Sequence, residues 1–189
     1  MKKIIGRSEL LFILTVTAVS FPLGGLFDTS TIFLNSAAWY IGAVTVLFIV
    51  AVGAAFDMVG VAAAAARETP FHAMASKRVF GAKRAIQIVR NAERVSSICS
   101  DVVGDIAGVL SGAGALAVAV QMDYAFHIVG WTDEFVLIAL TALITSLTVG
   151  AKAYGKTVAI HAPTPIILFA GRVIEGLTLA LKIGRRSRL

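Results

Sequence analysis

Two carboxylates four residues apart, Asp101 and Asp105, stand inside the apolar stretch 96–121, and a third, Asp57, interrupts an earlier apolar run. A charged side chain near the centre of a membrane helix costs roughly 2.5–3.5 kcal/mol even on mild insertion scales, so it is expected to face a partner, a cavity or an ion. Residues four apart share a helix face, which puts Asp101 and Asp105 on one stripe. Counted from the basic boundaries at Arg67 and Arg94, Asp57 and Asp105 lie about 15 and 16 Å along their helices, nearly the same depth from the same side. Together with the hydroxyls of Ser97 and Ser100, the three carboxylates would form an oxygen-only cation site. Such a ligand set suits a hard divalent ion, Mg2+ first among them. The plain alternative is that these Asp residues are protonated and hydrogen-bond to backbone or serine.

The elements that must position such a site are membrane helices. The chain has 189 residues, 58% of them hydrophobic, and a mean hydropathy of +0.86, with its charges gathered into short runs. That is the composition of a polytopic membrane protein. The single cysteine, Cys99, excludes an internal disulfide and is expected to pack between helices. The net charge of +6 reads as topology, because the Lys and Arg residues fall in segments assignable to one side of the membrane, and no nucleic-acid partner is implied.

In order, an apolar helix is expected over 8–27, retained as a spanning segment and shortened by Pro22, Gly24 and Gly25, followed by a loop from Asp28 to Ser36. A second span covers 37–66. Residues 70–94 alternate basic and apolar side chains at three- and four-residue spacing, the pattern of an amphipathic belt along a membrane surface, in two pieces broken near Gly81. The central span covers 96–121, with Ser100, Gly104, Gly108 and Gly112 in the small-xxx-small spacing of a tight helix crossing. An outer segment, Met122 to Glu134, holds Asp123, His127, Asp133 and Glu134 between Tyr124 and Trp131. A fourth span covers 134–151, in which Thr141, Thr145, Ser146 and Thr148 either face the centre or satisfy carbonyls of their own helix. After Lys152 and Lys156 the HAPTP stretch breaks the chain, and 165–182 is expected to lie at the interface as an amphipathic helix, because spanning would bury Arg172 and Glu175. His72 and His161 stand at helix boundaries, where capping or packing is expected. The fold class is therefore all-α: one integral membrane domain of about four transmembrane helices, a basic belt and a C-terminal interfacial helix. The positive-inside rule puts both termini in the cytoplasm of a multi-pass plasma-membrane protein.

Several motifs resemble the transmembrane domain of the cyclin M and CorB/CorC family of magnesium transporters. They are Phe56-Asp57-Met58-Val59-Gly60, Gly81-Ala82-Lys83-Arg84-Ala85, Asn91-Ala92-Glu93-Arg94 and Val103-Gly104-Asp105. The likeness covers about Trp39 to Leu181. Asp57 stands where the family has a serine, Gly60 where it has a glutamate and Asp105 where it has an asparagine. Gly150 to Lys156 occupies the place of a family G-E-I-x-P-K turn, without the Glu or Pro. The resemblance implies a homodimer that exports or otherwise transports a divalent cation; with no nucleotide-hydrolysis motif in the sequence, exchange with Na+ or H+ is the expected drive. The family's cytosolic CBS pair is expected to be absent.

The expected function is thus divalent-cation transport, most simply of Mg2+, through a site of Asp57, Asp101, Asp105, Ser97 and Ser100 open to the cytoplasm. The alternative is a membrane scaffold or accessory subunit that keeps the fold without transport, favoured by Gly60 in place of the family's glutamate. Enzymatic chemistry is not expected, since no HExxH, Ser/His or Cys/His arrangement is present.

Overall fold

The computed structural model describes residues 7–36, 38–126 and 132–186, and among them every regular element is helical. In chain order these are α1 (Arg7–Ser36), α2 (Trp39–Ala65), α3 (Glu68–Ser76), α4 (Ala82–Arg90), α5 (Ala92–Ser96), a π-helical segment (Ser97–Gly104), α6 (Asp105–Phe126), α7 (Thr132–His161) and α8 (Pro163–Arg186). Four stretches are long and apolar enough to cross a membrane: Trp39–Ala65, Ala92–Met122, Phe135–His161 and Pro163–Leu181. Leu10–Pro22 is a shorter apolar helical stretch. The protein is an all-α chain with the helices of a multi-pass membrane protein.

Contacts divide the chain into two compact units, one comprising the residues up to Gly53 with Val102–Ala151, the other Ala54–Asp101 with Lys152–Leu189. Each has its own packing. In the first, Val46 and Val50 of α2 meet Val118 of α6, flanked by Leu140 and Ile144 of α7, and α1 packs along α6. Gly53 permits a close crossing there, since a Cβ on it would lie 2.6 Å from the Ala107 Cβ. Serine and threonine hydroxyls in these helices donate to carbonyls three or four residues back, among them Thr15 to Leu11 and Thr45 to Ile41. That local bonding is how a polar group is satisfied without a distant partner in an apolar setting.

In the second unit the core is Ala62, Ala63, Phe71, Ala85, Ile88, Ala159 and Ile167. Helix α4 buries Ala82, Ala85 and Ile88 at three-residue spacing and leaves Lys83 and Arg90 exposed, so the expected amphipathic belt forms. It is in two pieces, as the glycine suggests. Gly81 has φ +87°, and a side chain there would strike the Arg172 backbone nitrogen at 2.6 Å, so this turn needs glycine on both counts. Pro70 falls in the first turn of α3, where no intrahelical N–H bond is lost. Arg90 Nε donates to Glu68 Oε2 at 3.1 Å, tying α4 to α3. Helix α8 seats Gly171 on α4, with the Gly81 carbonyl 2.5 Å from where a Cβ would be. Glu175 accepts the Gly81 N–H at 2.6 Å.

Four boundaries differ from expectation, each for a local reason. Helix α1 runs through Pro22 and the expected loop to Ser36, and Thr29 Oγ1 bonds back to the Gly25 carbonyl within it. Neither the lone proline nor the paired glycines end it. The central helix begins at Ala92 and includes the π-helical segment before running to Phe126. Helix α7 continues past Gly150 to His161; with no proline in 150–156, nothing there breaks the backbone ladder. The HAPTP stretch interrupts helix only at Ala162, and α8 then runs to Arg186, long enough to span although an interfacial helix was expected. Of the expected outer segment, His127 and Trp131 lie outside the described residues, as do the side chains of Asp123, Asp133 and Glu134.

Candidate functional site

Asp57 is the one buried carboxylate among the described residues, 3% exposed on α2. Its Oδ2 lies 3.4 Å from Lys156 Nζ of α7, close enough for charge pairing yet not aligned as a hydrogen bond, so that oxygen accepts none from the protein. The two ends of the pair are unequal, because the Lys156 side chain is 50% exposed. A long lysine stem lets the ammonium reach water while its methylenes cover apolar surface. The carboxylate cannot follow it out.

One turn along α2 from Asp57, Gly60 receives the π-helical segment. A Cβ on Gly60 would lie 2.5 Å from Ser100 Oγ, 3.2 Å from Cys99 Cβ and 3.2 Å from the Ser96 carbonyl oxygen. Gly60 is therefore a tight packing position, where any side chain would displace the Ser100 hydroxyl and press on Cys99 and the Ser96 carbonyl. Cys99 has the packing role expected of it. Ser100 Oγ is buried with no hydrogen-bond partner, an uncommon state for a hydroxyl. The i→i+5 bonding of residues 97–104 widens the helix where Ser97, Ser100 and Asp101 sit, and such π-bulges recur at functional sites.

The expected ligands are thus distributed unevenly. Asp57, Ser97, Ser100 and Asp101 belong to one unit and Asp105 to the other. Asp101 and Asp105 are both exposed, and Ser97 is half-buried. Within either unit, among the described residues, no three His, Cys, Asp or Glu side chains come together as a metal cage. Lys156, expected in a turn-like basic stretch after the fourth span, instead lies within α7, which continues as helix and brings it to Asp57 as a counter-charge. Its neighbour Gly155 carried the signal, a missing side chain where the Ala54 carbonyl and Met58 come nearest and the residue is buried.

The small-residue stripe also has an internal use. Gly104 is buried, with its carbonyl near Gly53, and Ser100 faces Gly60, whereas Gly112 has open space beside it. Thr141, Ser146 and Thr148 donate to carbonyls of their own helix, so they follow the second of the two readings expected for them. His161 Nδ1 lies 2.8 Å from the Thr157 carbonyl at the end of α7, whereas His72, expected at a helix boundary, lies inside α3 with its Nε2 3.1 Å from Glu68 Oε2. His72 and Arg90 together hold the Glu68 carboxyl below its ordinary value, the hydrogen bond from His72 being the larger cause.

No protein-family model, curated protein or solved structure matches the chain. The likeness to the magnesium-transporter domain rests on the motifs quoted above.

Proposed function

We propose that this membrane protein binds and moves a divalent cation, Mg2+ first among the candidates, with Asp57 as the essential carboxylate. The observation that carries this reading is a carboxylate 3% exposed in an apolar helix whose counter-charge is a half-exposed lysine. Lys156 acts as a tethered cation. When its ammonium turns to water, the negative site left behind attracts a metal ion, and when the ion leaves the lysine returns. The orphaned Ser100 hydroxyl supplies a neutral oxygen, and the exposed Asp101 raises cation concentration nearby by long-range attraction. A coupling ion such as Na+ or H+ drives the cycle, in a plasma membrane with both termini cytoplasmic, and a homodimer uses the open Gly112 end of the small-residue stripe.

A second reading, a scaffold that keeps the fold without transport, is favoured by two facts. Lys156 already pairs with Asp57, and Gly60 stands where the resembled family has a glutamate. Purified full-length chain in detergent separates the two. Mg2+ at 100 times its Kd should stabilise the transporter by about 2.7 kcal/mol, and Asp57→Asn should abolish both that shift and ion flux in proteoliposomes. Flux unchanged in Asp57→Asn would reject the site, and a wild-type protein indifferent to Mg2+ would favour the scaffold.

A further inference from the structure

Between α3 and α4 the chain makes a turn whose geometry is wrong for the residue it carries. Arg78 N–H donates to the Ala75 carbonyl and Val79 N–H to the Met74 carbonyl, the paired bonds of a Schellman helix ending. The residue at the left-handed position of that motif is ordinarily glycine, yet here it is Arg78, with φ 57°. A strained position kept by a long cation asks what the cation is for. An exposed arginine at a helix C-terminus also meets the helix dipole, but Lys77 already stands at that end.

The turn walls a cavity of about 280 Å3 lined by Ala75, Arg78, Val79, Phe80, Lys83 and Glu175. Arg78 and Lys83 are both exposed, and Phe80 is half-exposed beside them. Glu175 in the wall accepts the Gly81 N–H, which fixes it in place without removing its charge, so the lining carries two cations against one carboxylate and stays net positive. The turn lies in the segment that joins two helices long enough to cross a membrane, Trp39–Ala65 and Ala92–Met122. A segment that joins two crossings lies toward a membrane surface, where basic residues meet anionic lipid, and the cavity is placed there with α8 lying along that surface, as its Arg172 and Glu175 favour.

We infer that the cavity between Arg78 and Lys83 binds the phosphate of an anionic phospholipid headgroup, with Phe80 against the start of the acyl chains. The shared chemistry is a phosphate anion, and the source is the bilayer, because a free phosphate would have no use for the exposed ring. This site is independent of Asp57 and of any transported ion.

The test uses full-length protein in neutral detergent, with short-chain phosphatidylglycerol, short-chain phosphatidylcholine or inorganic phosphate added in turn, reading the unfolding temperature. Phosphatidylglycerol should raise it for wild type and for the control Lys77→Ala, with an affinity on the order of tenfold weaker in Arg78→Asn/Lys83→Gln. Asparagine tolerates left-handed backbone, so this variant keeps the turn. Lys83→Gln alone, on an exposed helical position, should give an intermediate loss and serves if the double variant does not fold. An equal response to phosphatidylcholine, an equal response to inorganic phosphate, or a phosphatidylglycerol response that Lys83→Gln leaves intact would each overturn the inference.

Discussion

The two units solve the same solvent problem in different ways. From position 8 to 53 and from 102 to 151 the chain has no Lys or Arg, and the packing there is valine against valine with hydroxyls closed onto their own helices. The other unit holds the described ion pairs, Asp57 with Lys156 and Glu68 with Arg90 and His72, together with the close seat of Gly171 on the Gly81 turn. An unpaired charge has a high cost in hydrocarbon and a low one at a surface. The second unit carries the described ion pairs, and the carboxylate and the basic cavity of the two proposals fall within it.

That contrast is broken most severely at Lys156. Lys156→Ala strands a buried carboxylate, and losing one partner of a buried pair costs about 3–5 kcal/mol, here toward the low end because the lysine is half-exposed. Asp57→Asn/Lys156→Ala should recover most of that loss, since neither charge remains. Thermal unfolding of the two variants in detergent reads this directly, and a single variant as stable as wild type would mean that the pair does no structural work.

Glycine gives the next largest effect and a direct comparison of the units. Gly171→Ala drives a Cβ into the Gly81 carbonyl and the Ala85 amide, an overpacking that should cost about 1–3 kcal/mol. Gly112→Ala, with nothing within 4 Å, should instead be neutral or stabilising by up to about 1 kcal/mol, because alanine is the better helix former. Destabilisation of the isolated protomer by Gly112→Ala would show the stripe to be occupied within the chain.

The smallest effect sharpens the comparison through pH. Glu68 is held below its ordinary value in the folded protein, so its contribution is fully present above that ordinary value and is lost as pH falls through the lowered one. The difference in unfolding temperature between wild type and Glu68→Gln should therefore shrink on acidification below about pH 4.5. Arg90→Ala should diminish it at neutral pH. A difference that grows as pH falls would have the wrong sign for this linkage.

Much of the fold was legible because membrane helices advertise themselves. The run 39–65 is apolar but for Asp57, and the belt residues Ala82, Ala85 and Ile88 recur at helical spacing between exposed cations. Helix ends were harder. Pro22 and Gly150 are breakers in water, but in long apolar helices the surrounding ladder carries through them. Of the site, the sequence singled out Asp57 and the serines, and it missed Lys156 because the reach of a side chain depends on where its helix ends.

What the sequence determined by itself is the solvent of each segment, since hydropathy and charge act residue by residue, so the helical class and the basic belt follow from it. What tertiary structure alone decided is which polar groups meet. Lys156 reaches Asp57, Ser100 closes on Gly60 and Glu175 caps Gly81 across 94 positions of sequence. The glycines that permit these contacts are written in the sequence, but which partner each one admits depends on helix register, which no local pattern of residues encodes.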